Sequence, residues 1–279
     1  MREILSRNIA RYRKSLGLTQ EELAKKLGIT FQAVSKWETG QTIPDTALLP
    51  MLALALGISV DKLLGYAAFV GDVSHYESDY MKEEYFWGIS PSSMCLRILE
   101  QLPPTRPLKV LDIGCGEGKD AVFLARCGYD VSAFDISEAG LEKVKRLADK
   151  ARVHVRTFRA NVCDYRLDED YDVLYSSGVF HYIRPELRAE VMGNYKTHVR
   201  TGGIVSFHVF IDKPFIGLPP DDDLSSYFPW KSGEMFMYFH DWLIEQVSEY
   251  IFDCNSTGVP HRHAANTLLA RKCDRIVTE

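Results

Sequence analysis

No apolar run in this chain of 279 residues is long enough to cross a bilayer. The longest, from Ala47 to Ile58, falls short of the roughly 20 residues a spanning helix needs and is interrupted by Pro50. Met-Arg-Glu at the start does not lead into the apolar core of a secretory signal, so a cytoplasmic location and no membrane partner are expected. The six cysteines, at 95, 115, 127, 163, 254 and 273, are dispersed. None forms a C-x-x-C pair or a Cys/His cluster with zinc spacing, which predicts reduced thiols and no structural metal. Paired carboxylates, a Ser-His-Asp arrangement and an Asn-Pro-Pro-Tyr segment are missing too, which removes several kinds of hydrolytic and amino-group chemistry.

An excess of positive charge is also lacking: 33 Lys and Arg stand against 38 Asp and Glu, a net charge of −5. The balance is uneven along the chain. Residues 1–65 carry 9 basic and 6 acidic side chains, whereas the rest carries 24 and 32, so any contact with DNA belongs to the first part. Length alone suggests two domains, and 46% hydrophobic with 25% charged residues is ordinary for folded chains. The predicted division is a five-helix domain at 1–66, a connecting segment at 67–77 and an α/β domain at 78–279.

Apolar residues at Ile4, Leu5, Ile9 and Tyr12 predict an amphipathic helix over 2–16 with arginines elsewhere on its surface. Thr19 followed three residues later by Glu22 is a capping box, Gly28 stops the second helix, and Thr30 caps a third that ends near Gly40. A fourth follows Pro44-Asp45 and a fifth spans Val60–Leu64. Two helices joined by a tight turn, the second polar on its outer face, make a helix-turn-helix. The string Thr19-Gln20, Ala24, Gly28, Gln32, Val34-Ser35, Trp37-Glu38, Gly40, Pro44 resembles the Cro/repressor-like (Xre) family. That resemblance implies DNA as partner of residues 1–66, with Gln32, Ser35 and Lys36 toward base edges and Thr19, Gln20 and Lys36 or Thr42 toward phosphates. A single such domain covers little groove, so a homodimer on a two-fold site is expected. The alternative is a helical cap or dimerisation module.

Residues 110–120, Val-Leu-Asp-Ile-Gly-Cys-Gly-Glu-Gly-Lys-Asp, run from a short apolar strand into three alternating glycines and then a helix. Such a bend lets backbone approach a ligand closely. The spacing is G-x-G-x-G rather than the G-x-G-x-x-G of a dinucleotide site, and Asp112 precedes it. A carboxylate there repels pyrophosphate and suits an ammonium group. S-adenosylmethionine carries an ammonium and a sulfonium but no phosphate, and the arrangement resembles the first motif of class I S-adenosylmethionine-dependent methyltransferases. A βα rhythm follows, with strands predicted at 108–113, 130–135, 153–158, 171–176 and 203–210, helices near 117–127, 137–149 and 185–199, and strand-like runs at 246–253 and 264–271. The expected fold is therefore an all-α five-helix domain followed by a Rossmann-like α/β domain with a mostly parallel seven-stranded sheet.

Ligands in such sheets lie beyond the carboxyl ends of the strands. The candidates for S-adenosylmethionine are Asp112, Gly114, Cys115 and Gly116 after the first strand, and Asp135 and Ile136 after the second, for ribose and adenine. Asn161 and Val162 follow the third strand, and Ser177 and Val179 follow the fourth. Asp135 also reads as a helix cap, although Ser137 fills that role better, and Asn161 as a residue of loop hydrogen bonding. Cys115 reads as filler in the loop, and Asp120 as either an orienting group or a partner of the helix dipole.

His181, Tyr182 and Arg184, next in the chain, are the catalytic candidates. Phe228-Pro-Trp-Lys-Ser-Gly-Glu-Met, Tyr238, Asp241-Trp242, His261-Arg262-His263 and Leu268-Leu-Ala-Arg-Lys resemble the tellurite-resistance (TehB-type) methyltransferases. This implies a small methyl acceptor such as a tellurium or selenium oxyanion, whose chalcogen lone pair takes up the methyl group, so that positioning matters more than a base. His181, Arg184, Lys231, His261, Arg262 and His263 are the expected cationic or hydrogen-bonding groups, and Tyr85 and Trp87, with Tyr76, Tyr80 and Phe86, the expected lid. A regulator that senses S-adenosylmethionine with little turnover is the other reading of the same motifs.

Overall fold

The structure, a computed structural model, describes residues 2–58, 60–64, 74–217, 227–256 and 258–274. The chain divides into two units, Met1–Gly71 and Asp72–Glu279. Most of the segment expected as a connection, 67–73, lies outside the described residues; 74–77 already leads into the second unit's first helix.

The first unit contains α1 (Arg2–Ser15), α2 (Gln20–Leu27), α3 (Phe31–Glu38), a 3-10 turn at Thr46–Leu48, α4 (Leu49–Ala55) and α5 (Val60–Leu64). The capping box forms as the sequence predicts: the Thr19 hydroxyl accepts the Glu22 N–H at 3.1 Å while the Glu22 carboxylate accepts the Thr19 N–H at 2.7 Å. Gly28 ends α2 in the left-handed region, φ 67°, where a side chain would be strained. Leu5, Ile9, Leu23, Leu27, Val34, Trp37, Leu52 and Leu63 close on one another as its core. The fourth helix opens as a 3-10 turn capped by Asp45, whose carboxylate accepts the Ala47 N–H.

The second unit begins with α6 (Glu77–Tyr80) and α7 (Ser93–Gln101), neither of which the periodicity revealed. There follow β1 (Lys109–Ile113), α8 (Lys119–Arg126), β2 (Asp130–Asp135), α9 (Glu138–Ala151), β3 (Val155–Arg159), β4 (Tyr171–Ser177), a 3-10 turn at Phe180–Tyr182, α10 (Pro185–Thr197), β5 (Val199–Ile211), α11 (Glu234–Tyr238), β6 (Leu243–Cys254) and β7 (His261–Arg271). They form a seven-stranded sheet in the order β3-β2-β1-β4-β5-β7-β6, parallel except where β7 joins β5 and β6. Strand alternation distributes side chains between two cores. Val110, Val131, Ala133 and Val173 pack with α7, α8 and α9, whereas Leu111, Ile113, Leu174, Val205 and Phe207 pack with α10 and α11.

Several strand limits differ from the predicted ones: β6 and β7 each begin three residues early, at Leu243 and His261, and the starts of β3 and β5 move for local reasons. β3 begins at Val155 instead of 153, because Arg152 takes a left-handed conformation (φ 57°) and the Val153 N–H still bonds back to Ala148 O, so the helix end consumes those residues. β5 begins at Val199, four residues early. Its register against β4 shifts beside Gly202 (φ 80°) and Gly203, where an added Cβ at Gly203 would lie 2.6 Å from the Asp172 carbonyl oxygen.

Candidate functional site

Strand order reverses between β1 and β4, so the loops after these two strands diverge and leave a crevice at their carboxyl ends. The bend after β1 fills one wall. Gly114, Gly116 and Gly118 all have positive φ (70°, 53° and 83°), and Cβ atoms added to them would lie 2.6 Å from Val179, 2.9 Å from the Tyr80 hydroxyl and 2.7 Å from Val144. Glycine is thus required twice over, by conformation and by space. The Gly114 and Cys115 N–H groups both donate to the Phe134 carbonyl at 2.9 Å, which pins the bend to the end of β2.

Asp112 and Asp135 come together here as the sequence suggests. Asp135 accepts the Gly116 N–H at 2.8 Å and the Ser137 N–H at 2.9 Å, so it braces the bend itself; Ser137 is the cap of α9, accepting the Gly140 N–H. Asp112 is buried, and among the described residues its Oδ2 has no hydrogen-bond partner. Burial, with the neighbouring charges of Asp120 and Asp135, pushes the Asp112 carboxyl well above the usual carboxylate range. An orphaned buried carboxyl beside a glycine bend fits a cationic ligand group and does not fit a phosphate. Asp120 orients neighbouring elements: one oxygen accepts the Ser92 N–H at 2.7 Å and the other the Tyr175 hydroxyl at 2.8 Å. Burial and the charges of Asp112 and Asp135 push the Cys115 thiol up, which disfavours the thiolate.

Ile136 is half-buried at the tip of β2, and Val162 belongs to the core. The Asn161 side-chain oxygen accepts the Cys163 N–H at 2.9 Å, a local turn. Ser177 is exposed at the end of β4, and Val179 packs directly on Gly114.

Glycine and aspartate spacing gave no sign of Glu117. Its buried carboxylate accepts the Phe86 and Trp87 N–H groups at 3.1 and 3.0 Å and pairs with Lys143 at 2.7 Å; Lys143 in turn donates to the Glu84 carbonyl. The segment 76–87 is thereby latched over the bend. Tyr85 lies against Lys143, and the Trp87 indole N–H donates to the Tyr80 hydroxyl at 3.0 Å. The signal was present in sequence only as a Glu inside the glycine loop and a Lys on the apolar face of α9.

Beyond β4 the lining changes. His181 is buried, stacks on Phe210 at 4.6 Å and meets Tyr182 and Tyr227 at 4.2 and 5.1 Å. His208 and His263 approach the same Phe210 ring at 5.3 and 4.6 Å. Burial pushes His181 down to about 3 and His208 and His263 to about 4, and the imidazoles' mutual proximity adds to the shift, so all three are neutral at pH 7. Among the described residues the Nδ1 atoms of His181 and His208 have no partner.

The cationic lining expected around His181 is not what the structure assembles. Arg184 is half-exposed beside Glu186, and Lys231 is exposed. Arg262 lies on the face of β7 opposite His261 and His263 and pairs with Asp253 in solvent. His261 sits against His263, not His181. Trp230 is core: its N–H donates to Phe180 O and its ring carries Arg188 at 4.3 Å.

In the first unit, Val34 and Trp37 point inward from α3, leaving Gln32 and Lys36 exposed and Ser35 half-exposed. Gln20 and Thr19 are engaged: the Gln20 amide donates to Glu38 at 2.8 Å, where Arg13 also donates to the carboxylate, and Thr19 is the cap of α2.

A helix-turn-helix family matches residues 9–63, and an uncharacterized HTH-type transcriptional regulator of Sinorhizobium fredii is 42% identical over 59 residues, 21% of this chain and 77% of that protein. The chain is 29% identical to "Hemagglutinin 1" of Eikenella corrodens across 202 residues, 70% of this chain and 64% of that one. It is 27% identical to a probable S-adenosyl-L-methionine-dependent methyltransferase TehB of Haemophilus influenzae across 169 residues, 60% and 58%. The chain thus spans about 60% of the length of these relatives. The crystal structure of TehB from Haemophilus influenzae superposes with a TM-score of 0.58 at 22% identity, covering 72% of this chain and 67% of that one, which establishes the methyltransferase fold. The family described as tellurite resistance protein TehB matches residues 76–262, more than half of the chain, and the chain belongs to that family.

Proposed function

We propose that the second unit is an S-adenosylmethionine-dependent methyltransferase for a small acceptor of the tellurium or selenium oxyanion class, and that the first unit binds DNA to regulate transcription. The observation that carries the reading is the buried, unpartnered Asp112 oxygen beside the Gly114–Gly118 bend. S-adenosylmethionine supplies a methyl group on a positively charged sulfur, already activated as a leaving group. Asp112 would hold its ammonium and Asp135, which braces the bend, would be the residue for its ribose; Val179 lies where the fourth strand meets the bend. The segment 76–87 excludes water.

On the acceptor side, His181 and His208 offer ring nitrogens to the oxygens of the acceptor while remaining uncharged. They therefore add no positive charge near the sulfonium that would repel it. A lone-pair nucleophile needs no base, and His181, His208 and His263 are not poised as one at neutral pH; alignment supplies the rate. The likeness to a probable S-adenosyl-L-methionine-dependent methyltransferase of Haemophilus influenzae supports this reading.

Titration calorimetry of the purified chain with S-adenosylmethionine, followed by S-adenosylhomocysteine release in the presence of tellurite or selenite, tests it. One bound equivalent and turnover dependent on the oxyanion are expected. Absence of binding overturns the donor assignment, and binding without turnover on either oxyanion overturns the acceptor. For the first unit, Gln32→Ala should weaken a footprinted site by about 1–3 kcal/mol, the worth of a good base contact; a chain that protects no site overturns DNA binding.

A further inference from the structure

The turn between β6 and β7 brings together three side chains that neither the methyl-transfer site nor the sequence spacing accounts for. Cys254, the last residue of β6, is paired in register with His261, the first of β7, and His263 follows two residues on. Paired residues of an antiparallel ladder, and residues two apart on one strand, share a face. All three side chains therefore project together, and their ligand atoms lie within 4.8 Å of one another. Arg262, between the histidines, projects the other way to Asp253.

The orientation of the imidazoles is specific. His261 Nδ1 lies 2.8 Å from the Val259 carbonyl, an acceptor only, so Nδ1 carries the proton and Nε2 presents its lone pair. That lone pair points at His263 Nε2, 2.9 Å away. A backbone carbonyl fixing one ring nitrogen while the other faces a second imidazole and a thiol is the outer support found behind metal-bound histidines. Tetrahedral zinc, with bonds of about 2.0–2.1 Å to nitrogen and about 2.3 Å to sulfur, requires ligand atoms roughly 3.3–3.6 Å apart, and these three already lie within 4.8 Å of one another. His263 is buried and stacked on Phe210 at 4.6 Å and 8°, which holds its ring in place; Cys254 and His261 are half-buried, which leaves a path for an ion.

We propose that Cys254, His261 and His263 form a three-ligand site for a borderline-to-soft d10 cation, with zinc(II) as the reference ion and a fourth position open. One thiol and two imidazoles select such an ion over magnesium or calcium, which take oxygen ligands. On binding, the Cys254 thiol releases its proton to solvent, the His263 proton shifts from Nε2 to Nδ1 through solvent, and sulfur and both Nε2 atoms donate electron pairs to the cation, with no change of oxidation state. Phe210 separates this site by one ring from His181, so the ion would sit next to, and not in, the acceptor pocket.

The full chain, stripped of metal and kept reduced, is titrated with zinc(II) against a chromophoric chelator and separately with cobalt(II) as a spectroscopic probe. One equivalent per chain is expected, with near-ultraviolet sulfur-to-cobalt charge transfer and visible bands of a tetrahedral ion. Cys254→Ser should abolish the charge-transfer band, and both Cys254→Ser and His261→Gln should weaken zinc binding at least tenfold, in proteins whose metal-free melting temperatures match the parent. No stoichiometric uptake, or uptake and spectra unchanged in both variants, overturns the site. Neither result depends on methyl transfer, since S-adenosylmethionine binding is read in a separate titration.

Discussion

The sheet buries carboxyls on one side of β4 and imidazoles on the other, and the same physical cause moves them in opposite directions. Around β1 and β2, burial raises Asp112 and Asp135; beyond β4, burial lowers His181, His208 and His263. In each case the charged form is what the interior disfavours. The consequences differ. The carboxyl side is short of positive charge, which a cationic ligand restores, whereas the imidazole side stays neutral by itself. For the anionic acceptor proposed above, the protein would then supply charge to the cationic sulfur compound alone.

The largest way to disturb this contrast is Glu117→Ala. It strands Lys143, 4% exposed at its side chain, in the interior, and should cost about 3–5 kcal/mol in denaturant unfolding. Gly114→Ala meets Val179 at 2.6 Å in a left-handed conformation, and about 1–3 kcal/mol of stability should be lost together with donor binding. Asp112→Asn separates the two effects. It removes a group whose charged form the interior opposes, so the melting temperature at pH 7 should hold or rise, while S-adenosylmethionine affinity in calorimetry falls at least tenfold, about 1.4 kcal/mol.

The smallest effect is on pH dependence. A histidine lowered from 6.5 contributes stability that is present above 6.5 and lost as pH falls toward its folded value, about 3 for His181 and about 4 for His208 and His263. A raised carboxyl behaves oppositely: the stability it contributes is full below about 3.9 and lost as pH rises through its folded value. As pH falls from 6.5 toward 4 the buried imidazoles should progressively lower stability, and His181→Phe should slightly reduce the slope of melting temperature against pH in that window. An unchanged slope would remove His181 from the acid response.

How far the sequence disclosed this depends on how local each feature is. The bend after β1 was legible because its glycines, Asp112 and the capping residues act within a few positions. The helix-turn-helix was legible for the same reason, through Thr19, Glu22, Gly28 and Thr30. The grouping of His181, His208 and His263 was not, because it needs the antiparallel insertion of β7 between β5 and β6, a register that no local pattern encodes. Lys231 and Arg262 were drawn toward the site by charge alone, whereas strand alternation sends Arg262 to solvent. Asn161 and Gln20, both polar and suitably placed, turned out to be engaged by their own neighbourhood, one by a turn and the other by Glu38. Glu117 was overlooked because its partners lie 26 residues downstream on α9 and 30 residues upstream in the chain.

The Glu117 latch has a kinetic corollary. Two backbone donors and one ammonium converge on a single carboxylate, so peeling away Trp87 weakens the hold on Phe86, and withdrawing either loosens Lys143 from the Glu84 carbonyl. Residues 84–87 should therefore detach as one block. Amide hydrogen exchange at Phe86 and Trp87 would then report a shared opening rate, slower than that of an exposed turn of the same length.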